Sequence, residues 1–326
     1  MDITIRYTPL PERRQTEYLA FLAASGLRDE EDADLIAWMT DEEDRLVACG
    51  ALAGYTIKQL AVAPALEGQG AMASVLSALY AEATRRGISR LFLCTKPTNR
   101  RMFSSLGFFP VIETGDAVLM ENSRNGVRNF LASLPRREGV KGAVVCNCDP
   151  FTLGHRHLLR HAAEHCDALY VFVVSDSGSM FTPEERYEMV CRGTADLPNC
   201  TVHRSDLYLV SRATFPAYFI RDRVRADQVR ADLDIAFFSE KLAPALDLSV
   251  RFVGEEPFSP VTQAYNERMK ELLPQRGIRL EEIPRFKGIS ASRVRELIRA
   301  GEYEKTRDLV PDTTYETILR YAARNA

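Results

Sequence analysis

The 326-residue chain predicts an α/β protein built as an N-terminal α+β domain over residues 1–125 and a C-terminal domain with a parallel sheet over residues 126–326. Three observations predict this. The length exceeds that of a single ordinary domain, which runs about 100 to 200 residues. The stretch Glu121-Asn122-Ser123-Arg124-Asn125-Gly126 is polar and turn-rich, as a seam between domains would be. Beyond it, apolar strand-like runs alternate with helix-like ones, the pattern of stacked βαβ units.

In the first domain, strands are expected over 3–7, 35–39, 46–52 and 55–62, followed by a helix over 70–86. A strand over 91–94, a short helix over 99–106 and a strand pair ending near Met120 complete it, and 127–137 reads as a connecting helix. In the second domain the expected strands are 143–146, 169–174, 201–202, 235–238 and 249–253, with a helix over 156–165. Thr182-Pro183-Glu184-Glu185 marks another helix start, because Thr caps, Pro suits the first helical position and Glu follows three residues after the cap.

With 46% hydrophobic and 27% charged residues and a net charge of −3, the composition is that of an ordinary globular protein. Such a charge exerts no general pull on nucleic acid or anionic membrane, so neither is an expected partner. The longest apolar runs, such as 168–174, fall far short of the ~20 residues a membrane-spanning helix needs, and no leader peptide pattern opens the chain. Seven cysteines without regular spacing, several in apolar runs (Cys49, Cys94, Cys146), point to a reduced cytoplasmic setting.

The chemistry concentrates in two segments. Asn147-Cys148-Asp149-Pro150-Phe151-Thr152-Leu153-Gly154-His155 follows an apolar strand-like run and opens into a helix. A helix start offers unpaired N–H groups and partial positive charge to an anion, and Gly154 lets the backbone approach it closely. Gly288-Ile289-Ser290-Ala291-Ser292-Arg293-Val294-Arg295 is a second segment of the same kind. No G-x-x-x-x-G-K-S/T run is present, which disfavours a P-loop enzyme. His157, His161 and His165 recur every four residues and read as a polar helix stripe, and Cys146 with Cys148 lacks a second ligand pair, so no metal site is expected from these residues. Asp232, Asp234, Glu255 and Glu256, at the ends of expected strands, are candidates to orient Mg²⁺, ribose or arginine side chains. Arg221, Arg223, Arg225 and Arg230, interleaved with acids, read as a solvated face.

Thr152-Leu153-Gly154-His155, preceded by Asp149-Pro150, resembles the signature of the nucleotidylyltransferase superfamily, and Ile289, Ser290, Ser292 and Arg295 resemble its second motif. The resemblance implies a Rossmann-like domain in which a substrate oxyanion attacks the α-phosphorus of ATP and pyrophosphate leaves. On that reading His155, Thr152 and Arg295 are the candidate catalytic residues. Asp149, Pro150, Phe151, Gly154, His157, Ile289, Ser290 and Ser292 are the candidate nucleotide contacts, and Mg²⁺ shares the phosphate charge.

Residues 60–71, Leu-Ala-Val-Ala-Pro-Ala-Leu-Glu-Gly-Gln-Gly-Ala, run from a strand into a helix and resemble the pyrophosphate loop of the GNAT acetyltransferase family. Gly68 and Gly70 are its candidate cofactor contacts, and Asn99 with Leu106-Gly107-Phe108 matches further family positions. The chain departs from the family at Glu67, Met72 and Phe103, the last standing where many members place a tyrosine that protonates a leaving thiol. A CoA-like arm used as thiol acceptor needs no such acid. A GNAT-like domain joined to a nucleotidylyltransferase domain resembles the citrate lyase ligase family. That resemblance implies ATP and acetate as substrates, acetyl adenylate as intermediate, and as acceptor the citrate lyase acyl-carrier subunit with a dephospho-CoA-like prosthetic group. The alternatives are an adenylyltransferase acting on a phosphorylated cofactor precursor and a module that senses nucleotide or CoA.

Overall fold

The computed structural model describes residues 2–175, 178–209, 217–220, 222–256 and 259–325. The chain divides into two compact units, one of Met1–Val127 with Arg212–Ala236, the other of Arg128–Ser211 with Phe237–Ala326. Among the described residues no helix is long and apolar enough to cross a membrane.

The first unit runs β1 (Asp2–Tyr7), α1 (Glu12–Ala24), β2 (Leu35–Thr40), β3 (Leu46–Ala53), β4 (Thr56–Val62), α2 (Ala71–Arg85), β5 (Phe92–Thr95), α3 (Arg100–Ser105), β6 (Phe109–Glu113) and β7 (Val118–Glu121). α4 (Gly126–Ser133) follows at its end. Its sheet has the order β1-β2-β3-β4-β5-β7-β6. Val75, Leu76 and Leu79 of α2 pack with Leu35, Ala37 and Leu93 of the sheet, and Tyr18 and Leu22 of α1 form a second cluster with Trp38 and Ile36. Alternate residues of β2 therefore serve opposite clusters, as the period of two along a strand requires.

β4 and β5 are parallel neighbours paired only at Thr56 with Phe92 and Ile57 with Leu93. Past that point β4 is irregular, with Gln59 at a φ of 54°. The gap is filled from far along the chain. Tyr218 is buried, and the backbone of Gln59 and Leu60 hydrogen-bonds its phenol. Arg28 holds the same segment, its N–H meeting the Tyr218 carbonyl at 2.9 Å and its guanidinium reaching the carbonyls of Ile220 at 2.7 Å and Ala217 at 3.3 Å.

The second unit contains β8 (Lys141–Cys146), α5 (Leu153–Glu164), β9 (Ala168–Val173), α6 (Pro183–Gly193) and β10 (Cys200–Arg204). After α7 (Arg223–Phe237) come α8 (Ala243–Leu246), β11 (Val250–Gly254), α9 (Pro260–Leu272), β12 (Arg279–Ile283), α10 (Ala291–Arg299) and α11 (Asp312–Asn325). The strands pair in parallel in the order β10-β9-β8-β11-β12. That order reverses between β8 and β11, and in open parallel sheets ligands bind beyond the carboxyl ends of the strands at such a point.

One expected strand is a helix. Residues 235–238 lie at the end of α7 and in the single wide turn that follows it. Four apolar residues do not distinguish strand from helix, whereas Ala226, Val229, Leu233 and Phe237 are all buried at helical spacing and decide it. α7 also moves Asp232 and Asp234 from the expected strand ends to a helix whose residues to 236 group with the first unit. Of the expected solvated arginines, Arg230 pairs with Glu30 at 2.8 Å and Arg225 with Asp116 at 2.6 Å, while Arg221 lies outside the described residues.

A methyl group at Gly142 of β8 would come within 2.6 Å of the Phe252 ring and 3.1 Å of the Cys166 sulfur. Phe252 is a rigid, fully buried ring. Gly142→Ala is therefore expected to cost about 1–3 kcal/mol, read as a lower denaturation midpoint. Gly115→Ala, where nothing lies within 4 Å, should leave the midpoint close to the parent value.

Candidate active site

β8 releases the chain into a turn in which Cys148 takes a left-handed φ of 52° and from which α5 starts. Asp149 is buried in this turn, and its carboxylate accepts the backbone N–H groups of Met180 and Phe181, both at 3.0 Å. Beneath it Arg186, fully buried, donates to the carbonyls of Val174 at 2.7 Å, Asn147 at 2.9 Å and Phe181 at 3.2 Å. One cation thus gathers the chain leaving β8, the chain leaving β9 and the loop before α6.

Thr152 and His155 form a reciprocal cap at the start of α5. The Thr152 hydroxyl accepts the His155 N–H at 3.3 Å, and the Thr152 N–H donates to His155 Nδ1 at 3.1 Å. An Nδ1 that accepts a backbone N–H carries no proton, so the neutral ring holds its proton on Nε2. Burial, and after it the positive charges of Arg285 and Arg295, pushes the imidazole down to about 4. At neutral pH His155 is an uncharged hydrogen-bond donor.

The second motif follows β12. Ser290 caps α10 by accepting the Arg293 N–H at 3.1 Å. Arg295, one turn on, donates to the carbonyl of Asp149, faces the Asp149 carboxylate at 3.7 Å and reaches Ser292 Oγ at 3.2 Å. A methyl group on Gly154 would lie 3.4 Å from the carbonyl oxygen of Ile289. The structure therefore brings Asp149, Thr152, Gly154, His155, Ile289, Ser290, Ser292 and Arg295 together, with two helix starts side by side. Pro150 is buried in the same turn.

Other expected residues sit differently. The Phe151 ring lies in the core against Gly193, and the residue as a whole is fully buried, so it packs the turn and offers no open contact to a ligand. The His157 ring stacks on Phe286 at 4.8 Å. Glu256 pairs with the Arg285 guanidinium at 3.1 Å and orients it, and Glu255 accepts the Arg285 backbone N–H at 3.5 Å. Gly68 and Gly70 belong to the first unit. They take φ values of 74° and 83° where the chain enters α2, and no side chain caps that helix. The left-handed backbone is what asks for glycine at both places.

Arg186 and Arg285 escaped the sequence reading. Neither stands in a motif or a charge run, and a buried arginine is marked only by the carbonyls the fold places around it.

The depressed His155 value has a consequence for stability. Unfolded, the ring binds a proton near pH 6.5, whereas folded it resists protonation down to about 4. The unfolded state therefore takes up more protons between these values, and stability falls as pH drops from about 6.5 to 4. Unfolding free energies of the parent and His155→Gln proteins from urea titrations across that window should show the parent losing about 2–3 kcal/mol relative to the variant on acidification. Parallel profiles would show that the folded imidazole titrates normally.

The family model "Citrate lyase ligase C-terminal domain" matches residues 141–318, and the "Acetyltransferase (GNAT) family" model matches residues 2–108. The chain is 41% identical to the citrate (pro-3S)-lyase ligase of Klebsiella pneumoniae over 314 residues, covering 93% of this chain and 92% of that protein. It is 35% identical to the corresponding ligase of Escherichia coli (strain K12) over 345 residues, covering 100% and 97%. The Haemophilus influenzae ligase is 35% identical over 307 residues, covering 90% and 92%. These matches extend over both units and both motifs, and the chain belongs to the citrate lyase ligase family.

Proposed function

We propose that the chain activates acetate with ATP as acetyl adenylate and passes the acetyl group to the thiol of a dephospho-CoA-like prosthetic group on the citrate lyase acyl-carrier subunit. AMP and pyrophosphate are the other products. The observation that carries the nucleotide half is the junction of Arg295 with Asp149, which sets two helix starts, a neutral imidazole donor and an arginine around one point. Kinship with the ligases supports the choice of acetate and carrier. The seven cysteines, none in a disulfide, suit a reducing cytoplasm.

In the first step an acetate oxygen bonds to the α-phosphorus, the bond from that phosphorus to the bridging oxygen breaks, and pyrophosphate departs. His155 donates from Nε2 to the phosphate oxygen on which charge grows. The Thr152 hydroxyl is engaged in the cap and acts by positioning that ring. Arg295 and the first amides of α10 receive the β- and γ-phosphates. Asp149 has its carboxylate taken up by two amides and an arginine and is not free to hold Mg²⁺, which, when bound, would share the charge of the phosphates.

In the second step the carrier thiol attacks the acetyl carbon, a C–S bond forms, the bond to AMP breaks and the thiol proton passes to water. The Gly68–Gly70 turn and the uncapped start of α2 offer amides to the diphosphate of the carrier's arm. Phe103 is buried and supplies no hydroxyl. A thiol that enters as nucleophile requires none there.

His155→Ala should lower acetate-dependent ATP–pyrophosphate exchange by about 10²-fold or more while the protein stays folded. Exchange near the parent rate would refute the assignment. For the first unit a truncation is a poor probe, because removing residues 1–125 strips the packing from Tyr218 and α7. Gly70→Asp is cleaner. It should leave exchange within about twofold and lower acetylation of the carrier by about tenfold or more through repulsion of the diphosphate. Equal loss of both steps would show that the two activities do not divide between the units in this way.

A further inference from the structure

The histidine stripe on α5 has a partner that the linear sequence conceals. His161 and His165 lie one turn apart, and Glu281 of β12 comes up beside them, so that one ligand atom from each residue lies within 4.8 Å of the others. His161 Nε2 is 2.7 Å from Glu281 Oε1. The two imidazoles stack with centroids 4.0 Å apart at 17°.

The surroundings orient these groups as ligands. His165 Nδ1 donates to the carbonyl of His161 at 2.7 Å, which leaves Nε2 as its free lone-pair atom, the arrangement in which metal-binding histidines are usually held. The His161 ring is braced edge-on by Phe252 at 6.5 Å. Glu281 Oε2 faces Arg279 at 3.4 Å, but that guanidinium is exposed and leaves Oε1 to the histidines. Two imidazoles and one carboxylate, with water completing the shell, form a donor set for a borderline divalent cation. Mg²⁺, which prefers oxygen, suits it poorly.

We infer that His161, His165 and Glu281 form a Zn²⁺-type binding site that fastens α5 to β12. The placement gives the site a purpose. α5 begins with the Thr152–His155 cap and β12 leads into the Ser290–Arg295 segment, so a cation there braces the two elements from which the nucleotide motifs spring. This inference stands on the cluster alone and does not depend on which substrate the enzyme adenylates.

The test is titration of chelator-stripped full-length protein with ZnCl₂ by calorimetry, and with Co²⁺ by visible absorption, which reports nitrogen and oxygen ligation directly. The parent protein should bind one equivalent, keep it in excess Mg²⁺, and gain several degrees in denaturation midpoint with Zn²⁺. His165→Ala, at an exposed position, should lose that equivalent and the gain in midpoint while keeping the metal-free midpoint of the parent. Glu281→Gln should bind at least tenfold more weakly. Absence of a bound equivalent in the parent, or an equivalent that survives in His165→Ala, would overturn the assignment.

Discussion

Arg295 reaches back from the first turns of α10 to the backbone carbonyl and carboxylate of Asp149, and the nucleotide motifs owe their juxtaposition to that contact. Asp149 is buried, so its charge demands partners, and it takes two amides from residues 180 and 181 in addition to the arginine. The same carboxylate thus ties the loop before α6 to the turn before α5 and presents a fixed anchor to α10. Loss of either side of the pair would leave a charge without compensation, which costs far more than the pair itself contributes. A lysine in place of Arg295 would meet one oxygen and forgo the fork that spans Asp149 and Ser292.

The electrostatics of the site follow from the crowding that this anchor creates. Two helix starts, Arg285 and Arg295 concentrate positive charge suited to a triphosphate, and the free protein must bear the repulsion. Part is offset by Glu256 and Glu255 on Arg285 and by Asp149 on Arg295. His155 contributes by remaining uncharged. Its low protonation constant comes first from burial and then from the two neighbouring guanidiniums, and the reciprocal cap with Thr152 selects the tautomer with the proton on Nε2. A motif that reads as a phosphate contact is also a helix cap, and the two roles support each other, because the cap is what holds the donor still.

The parts of this site that were legible in the sequence are the local ones. A strand, a turn with Gly154, and a helix opened by Thr152 are written within fifteen residues, and the Ser290–Arg295 segment is equally compact. Residues whose role depends on distant partners carried no such mark. Arg186 looks like any helix arginine until the carbonyls of Asn147, Val174 and Phe181 surround it. His161 and His165 read as a polar stripe because Glu281 lies far along the chain. The segment 235–238 misled for a related reason, since its apolar character is real and only the wider stripe of Ala226, Val229, Leu233 and Phe237 reveals the helical period.

Chain connectivity explains why the domain order in sequence and the grouping in space differ. In a parallel sheet of order β10-β9-β8-β11-β12 the connection from β10 to β11 must pass over β9 and β8. Here residues 217–220 and 222–236 of that crossover pack within the first unit. Arg28 takes three carbonyls of the segment, and Arg230 seals it to Glu30 in a largely buried pair. Tyr218 occupies the backbone of Gln59 and Leu60 where β4 parts from β5, so the irregular end of β4 is satisfied by a side chain from a sequence-distant crossover. A backbone N–H has one hydrogen to give. Any group that is to bond these β4 amides must exchange with the Tyr218 phenol, and the irregular strand end is therefore committed in the folded chain itself.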